Sequence, residues 1–411
     1  MKKDAIKTIT EKLGTYIRPA DNEPFNYERY LCCDKAPYLD AFINDVAVPP
    51  FEVEIQMSSR CNLSCLWCIG AEVQSSKQVL NLPNTLNKNN IDRVVDGILN
   101  MRINGLTIDT VKFSGFIGEP LIQKEATLHA IARLAGAGLK VGLFTNGVLL
   151  TEDTWNTLSN IDYVHISLDA GPSTFYWLKE YSKRSTFTNY TFETVIKNIS
   201  GLHKCRRKKG VRGNVKLNVG YVIVSGNAAE IYEASRRVKE AGADMIRFKC
   251  DIANKHDLVQ ANLLDSVFSQ IEQAKNEFHN PPAFSVHSIH SRQEIEDYSY
   301  SNWKCDKGCH YQYFMTTLGS DGNLYFCDHN TMPGGVPIGN VIDHSFKDIW
   351  LNDRHKYLSN GVKYLCQSDV CPPFGNRVNA FLHEIVELKK TYGSAAVIDA
   401  LNVLREENKV P

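Results

Sequence analysis

From Phe51 to residue 251 the chain alternates short β-branched and aromatic runs with longer stretches of helical apolar spacing. FEVEIQM (51–57), TVKFSG (110–115), KVGLFTN (140–146), YVHISLD (163–169), KLNVGYVIV (216–224) and MIRFKCD (245–251) have the length and composition of strands. Amphipathic helical spacing fills the gaps, near 89–103, 123–137, 151–159, 189–205, 227–241 and 261–278. β–α units in series predict parallel strands joined by right-handed crossovers. An open or closed barrel and a doubly wound sheet are both built this way. In either, chemistry collects at the C-terminal ends of the strands.

The pattern changes on both sides of this region. Residues 1–50 begin with helical spacing and continue as aromatic, Pro-containing chain, which reads as an N-terminal extension. Residues 305–375 include a hairpin-like segment, FMTTLGSDGNLYFC, with its turn at Asp321-Gly322. Pro and Gly are dense at 333–339, and helical spacing returns at 376–390. The expected division is an extension at 1–50, an α/β barrel at 51–290, a small α+β domain at 291–375 and a helical segment at 376–411. There is no internal repeat and no low-complexity stretch.

Charge narrows the function. Lys+Arg and Asp+Glu number 46 each, so the chain lacks the basic excess of a nucleic-acid binder. The short run KCRRKKGVR (204–212) is most simply a solvated helix end. No apolar run is long enough to cross a bilayer, and the first residues lack the apolar centre of a signal peptide. A cytoplasmic protein is expected, with no membrane or nucleic-acid partner.

The twelve cysteines change the picture most. In a reducing compartment a high cysteine count points to metal ligation or catalysis rather than disulfides. Cys61, Cys65 and Cys68 fall within eight residues, and Cys305, Cys309, Cys327, Cys366 and Cys371 form a second group. Cys32, Cys33, Cys205 and Cys250 read as small buried side chains, although Cys250 ends a strand beside the expected site. The first group, in SSRCNLSCLWCIGAE, directly follows the first strand. Three thiolates in one loop can ligate three irons of a [4Fe–4S] cube and leave the fourth open, as a reactive metal site requires. A zinc loop or a ferredoxin-type site would show different cysteine spacing.

Cys-x3-Cys-x-aromatic-Cys after strand one resembles the signature of the radical S-adenosylmethionine (SAM) superfamily. The resemblance extends over roughly 51–375 and implies a partial (β/α)6 TIM-like barrel. It implies that the open iron binds SAM and that SAM is reductively cleaved to a 5′-deoxyadenosyl radical, which abstracts a substrate hydrogen. FSGFIGEP (113–120) resembles the family's Gly-Glu-Pro segment, with one residue more than the common form, and places Gly118 and Glu119 at the SAM ammonium. TNG (145–147), SLD (167–169) and VIVSGNAAEI (222–231) resemble further cofactor-lining turns, which implies cofactor contacts from Asn146, Ser167, Asp169 and Asn227. Arg247 and Lys249 on the sixth strand would face substrate or SAM, and Arg247 is placed with the cofactor contacts. Taken singly, each of these turns is more often structural than functional.

Cys309-x12-Gly322-x4-Cys327, followed by Cys366-x4-Cys371, resembles the auxiliary-cluster extensions of the same superfamily, the SPASM and shorter twitch domains. The Cys-x2-Cys-x5-Cys-x3-Cys run of the full SPASM form is missing, so one auxiliary [4Fe–4S] cluster is expected, on Cys309, Cys327, Cys366 and Cys371. Cys305 is a competing ligand to Cys309, and structural zinc is the rival occupant. An auxiliary cluster would accept an electron from the substrate radical. The expected activity is therefore a radical SAM oxidoreductase or lyase acting on a small polyhydroxylated molecule such as a sugar, aminocyclitol or nucleoside. A ribosomal peptide or a protein is the alternative substrate, and flavodoxin or ferredoxin the expected one-electron donor. Outside enzymes, the alternatives are an iron–sulfur electron carrier and a zinc-stabilised binding protein. Spacing singles out no general base.

Overall fold

The computed structural model describes residues 2–17, 26–68, 70, 86–116, 118–179, 190–208, 213–251, 254, 256–297, 308–332, 334–360 and 373–408. Its strands are β1 (Glu52–Gln56), β2 (Arg102–Ile103), β3 (Leu106–Thr107), β4 (Thr110–Ser114), β5 (Lys140–Thr145), β6 (Tyr163–Ser167), β7 (Lys216–Ile223), β8 (Met245–Cys250), β9 (Ser285–Ser288), β10 (Met315–Leu318), β11 (Asn323–Tyr325) and β12 (Gly339–Asn340). All six expected strands form, each within two residues of its expected ends. β2 and β3 make a separate small hairpin where helical spacing had been extended to residue 103.

Ten strands form one sheet in the order β12-β11-β10-β1-β4-β5-β6-β7-β8-β9. Every pair from β10–β1 to β8–β9 is parallel, and β10–β11 and β11–β12 are antiparallel. From β4 to β9 the spatial order follows the chain without reversal. Right-handed crossovers in one direction put every connecting helix on the same face, which is the barrel solution and not the doubly wound one. Consistently, the helices Ile91–Leu99, Lys124–Gly136, Glu152–Leu158, Phe192–Arg206, Ile231–Glu240 and Leu264–Phe278 pack in succession against each other.

The two faces of the sheet differ in chemistry, as period-two alternation requires. Val53, Ile55, Val111, Phe113, Val141, Leu143, Val164, Ile166, Leu217, Val219, Ile246 and Phe248 face the helices and are fully enclosed. Burying each such side chain contributes about 1.5–3 kcal/mol. The alternate positions form the inner face, and many of them are polar or charged.

The hairpin turn falls at Asp321-Gly322 as expected, with Gly322 at φ +82°, a left-handed conformation that favours glycine. The β10–β12 meander is continuous with the barrel sheet, because β10 adds to the open edge of β1. Residues 1–50 and 376–411, read separately from sequence, share a second core. Ile9, Leu13 and Ile17 of Lys2–Ile17 pack with Phe381, Ile385, Val397, Leu401 and Leu404 of Pro373–Tyr392 and Ser394–Glu407. Arg405 locks this bundle by donating to Cys32 O (2.8 Å) and pairing with Asp40 (2.7 Å).

Candidate active site

The cysteine loop is held on two sides. Glu119 N donates to Arg60 O at 2.8 Å, tying the loop to the end of β4. Ser64 N and Leu66 N donate to Lys179 O (3.2 Å) and Leu178 O (3.1 Å), tying it to the short helix Phe175–Leu178. Gly118 permits this approach: a Cβ there would lie 2.0 Å from Ser58 O. Burial pushes the Cys65 thiol up to about 11 and raises Cys61 and Cys68 as well. Without metal these thiols hold their protons, so a metal must displace protons as it binds. Among the described residues no three His, Cys, Asp or Glu are arranged to hold a single ion. A [4Fe–4S] cube instead takes each thiolate on a different iron, so three thiols on one loop fit it.

Glu119 is buried, and its carboxylate is engaged by the chain. It accepts from Leu121 N (3.1 Å), Thr145 Oγ1 (2.8 Å) and Asn146 N (2.8 Å). In this structure Glu119 fixes the turn after β5. Asn146, held by it, donates to Asn62 Oδ1 at 2.8 Å with Cys61 Sγ at 3.8 Å.

At the end of β6, Asp169 takes a left-handed φ of 49°, unfavourable for a non-glycine residue and typical of positions held by their surroundings. Its carboxylate accepts from Val222 N (2.8 Å) and pairs with Lys179 (2.9 Å). Lys179 also donates to Ser167 O (2.8 Å), and its Nζ stands 5.5 Å from the Trp67 ring centroid. Burial pulls the Lys179 pKa down, but Asp169 and Cys65 outweigh it and the ammonium is retained. No hydrogen bond to a described residue engages the Ser167 hydroxyl. Asn227 is fully enclosed and donates to Asp169 O (3.0 Å) and Val222 O (2.8 Å), while Val224 N donates to its Oδ1 (2.9 Å). The side chain braces the ends of β6 and β7, the place from which the resemblance has Asn227 contact the cofactor.

The inner face carries two walls of opposite charge. On β1 and β4, Glu54 accepts Lys112 (2.7 Å) and Ser114 Oγ, and Lys112 also reaches Glu52 (3.2 Å). Across the sheet, Arg247 of β8 is in register with Gly220 and His287, and Lys249 follows two positions on. Neither cation makes an ion pair with a described residue. The His165 ring leans over Gly220, where a Cβ would lie 2.5 Å from Nε2. Burial, then the Arg247 and Lys249 charges, push His165 well below its usual range, so it is neutral. Arg247 therefore sits inside the barrel face. Cys250 points to the opposite, helix-facing core.

Of the second cysteine group, Cys305, Cys366 and Cys371 lie outside the described residues. Cys309 precedes β10 and Cys327 follows β11. Each receives an amide: Asn379 Nδ2 is 3.5 Å from Cys309 Sγ, and Asn330 Nδ2 is 3.5 Å from Cys327 Sγ. Lys179 and the Glu54–Lys112 pair were missed in the sequence. Lys179 lies in WLKEYS, which has no recognisable pattern. Charged residues at strand positions, in EVE and TVK, were the available signal for the pair.

Comparisons with known proteins agree with this geometry. The profile of the radical SAM superfamily matches residues 55–215, and that of the SPASM iron–sulfur cluster-binding domain matches residues 309–372. The latter span includes Cys309, Cys327, Cys366 and Cys371 and excludes Cys305. The GTP 3′,8-cyclase of Streptomyces coelicolor is 30% identical over 121 residues, 29% of this chain and 33% of that enzyme. The chain thus matches about a third of this curated relative's length. Native anSMEcpe with bound AdoMet superposes with a TM-score of 0.51 at 18% identity, covering 86% of this chain and 100% of that one. Streptococcus suis SuiB bound to the precursor peptide SuiA gives 0.52 at 15% identity, covering 91% of this chain and 82% of that one. At these identities the likeness is one of fold. No described helix is long and apolar enough to cross a membrane. A radical SAM domain takes a [4Fe–4S] cluster and SAM, and a SPASM domain takes auxiliary iron–sulfur clusters. The chain thus carries a radical SAM domain at residues 55–215 and a SPASM iron–sulfur cluster-binding domain at residues 309–372.

Proposed function

We propose that this enzyme oxidises or rearranges a small, polar molecule bearing an anionic group, held against the inner face of the barrel sheet. The observation that carries this reading is the charge of that face: Glu54 with Lys112 on one wall, and Arg247 and Lys249, without an ion pair among the described residues, on the other. Arg247 is half-buried and Lys249 is exposed, and a charge-assisted hydrogen bond to a bound anion is stronger than a neutral one. Arg247 is therefore moved from the cofactor contacts to substrate, binding a carboxylate or phosphate in a planar fork. Neutral His165 beside it offers a hydrogen bond without further charge.

When bound, the cluster on Cys61, Cys65 and Cys68 and SAM supply the hydrogen-abstracting 5′-deoxyadenosyl radical, and an auxiliary cluster on Cys309, Cys327, Cys366 and Cys371 supplies a one-electron acceptor. The residues around them position and shield. Lys179 and Asp169 hold the β6 end against the cysteine loop. Ser167 presents its hydroxyl to SAM, and Gly118 lets the end of the β4 loop close against the cysteine loop that carries the cluster. Asn146 orients Asn62 and Cys61. A cytoplasmic enzyme fed by flavodoxin or ferredoxin fits this set. The peptide alternative is favoured by one feature, the exposed Leu66, Tyr176 and Trp177 beside the cysteine loop.

The test is 5′-deoxyadenosine formation by the reduced, reconstituted enzyme with SAM. Peptide-depleted small molecules of a cell extract and its peptide fraction are added separately. Stimulation by the small-molecule fraction, lost in Arg247→Met, is expected. Stimulation by the peptide fraction alone would overturn the substrate class, and no 5′-deoxyadenosine under any condition would overturn the enzyme reading.

A further inference from the structure

The helix Pro373–Tyr392 lies wholly beyond the two matched regions and packs against the chain around Cys309. Asn379 on this helix is 1% exposed. Its Oδ1 accepts the backbone N–H groups of His310 (2.8 Å) and Tyr311 (3.1 Å). Two donors on the oxygen settle which way the amide points. Its Nδ2 is thereby directed at Cys309 Sγ, 3.5 Å away. One turn further on, His383 Nε2 lies 3.1 Å from Gly308 O, and its ring meets that of His310 edge-on at 4.4 Å. A single helix therefore clamps the whole of 308–311. It is rigidly seated itself: Val378, Phe381, Leu382 and Ile385 are fully enclosed in the core shared with the N-terminal helices.

An N–H aimed at a thiol becomes a charge-assisted donor once the sulfur is a metal-bound thiolate. Such a bond stabilises the reduced centre, which carries one more negative charge, more than the oxidised one. Hydrogen bonds to cluster sulfurs are among the main determinants of iron–sulfur potential. We propose that Asn379 is a positioning residue of the auxiliary cluster, bracing the Cys309 loop and raising the cluster's reduction potential through its N–H···S bond. The terminal helical bundle thereby sets how readily the auxiliary centre takes an electron. This rests on Cys309 being a ligand.

The test is a potentiometric titration of the full-length reconstituted enzyme followed by electron paramagnetic resonance. The auxiliary signal is the one that persists in the Cys61/Cys65/Cys68→Ala variant. Asn379→Asp keeps an oxygen for the two backbone N–H groups but sets a carboxylate oxygen against the sulfur. It should retain full iron and disfavour reduction at least tenfold, about 59 mV for one electron. Full iron with an unchanged potential would overturn the proposal, leaving Asn379 a loop brace. Should Asn379→Asp fail to assemble the centre, asparagine labelled with nitrogen-15 decides in the Asn330→Ala protein. A nitrogen coupling on the reduced auxiliary signal is expected, and its absence overturns the proposal. A wild type lacking the second signal altogether would instead overturn the ligand reading, and this proposal with it.

Discussion

Lys179 illustrates what single residues contribute here. It is 1% exposed, yet it carries a charge, and its partners are Asp169, the Ser167 carbonyl and the Trp67 ring. Removing one member of a buried pair leaves the other charge stranded, at a cost of about 3–5 kcal/mol. Lys179→Met should therefore destabilise the protein by about that much in urea denaturation. A loss under about 1 kcal/mol would mean the pair is solvated as an exposed one is. Candidate cluster ligands stand out in the sequence because cysteine spacing is a chemical pattern. Lys179 does not, because its role depends on a turn that brings residue 179 back under the cysteine loop. Glu119 and Asn227 were found as motif members, but their contacts are internal, and a motif does not tell which way a carboxylate or amide points.

At the scale of elements, the six barrel strands were readable because their helix-facing positions are uniformly apolar. β9 escaped notice: Ser285–Ser288 reads SVHS and offers one enclosed apolar side chain, Val286. Its placement depends on pairing with β8 and on His290 just beyond, whose Nδ1 accepts Cys250 N–H at 3.1 Å. Burial, chiefly, pushes His290 down to about 4, with Glu294 acting upward and Lys249 downward. The unfolded chain, with an ordinary histidine, binds this proton at higher pH than the folded one. Stability attributable to His290 is thus full above about pH 6.5 and falls as pH drops towards 4, by up to about 3 kcal/mol. His290→Asn keeps an acceptor for the Cys250 N–H and removes the titration. Its denaturation midpoint should fall less than that of wild type over this window; parallel curves would show that His290 titrates as an exposed imidazole does.

Across the whole molecule, one continuous sheet joins the radical SAM barrel to the iron–sulfur meander through the β1–β10 pairing. One helical bundle joins the two chain ends. Neither union was visible locally, since each depends on contacts between residues more than two hundred positions apart, such as Glu52 with Met315 and Cys32 with Arg405. The central claim is that two separate iron–sulfur centres share this scaffold. Iron and sulfide should be counted in anaerobically reconstituted wild type and in the Cys61/Cys65/Cys68→Ala variant. About eight irons in the wild type and about four in the variant are expected for two [4Fe–4S] centres. About four in the wild type and none in the variant would contradict the account, leaving the C-terminal cysteines as a zinc or structural site.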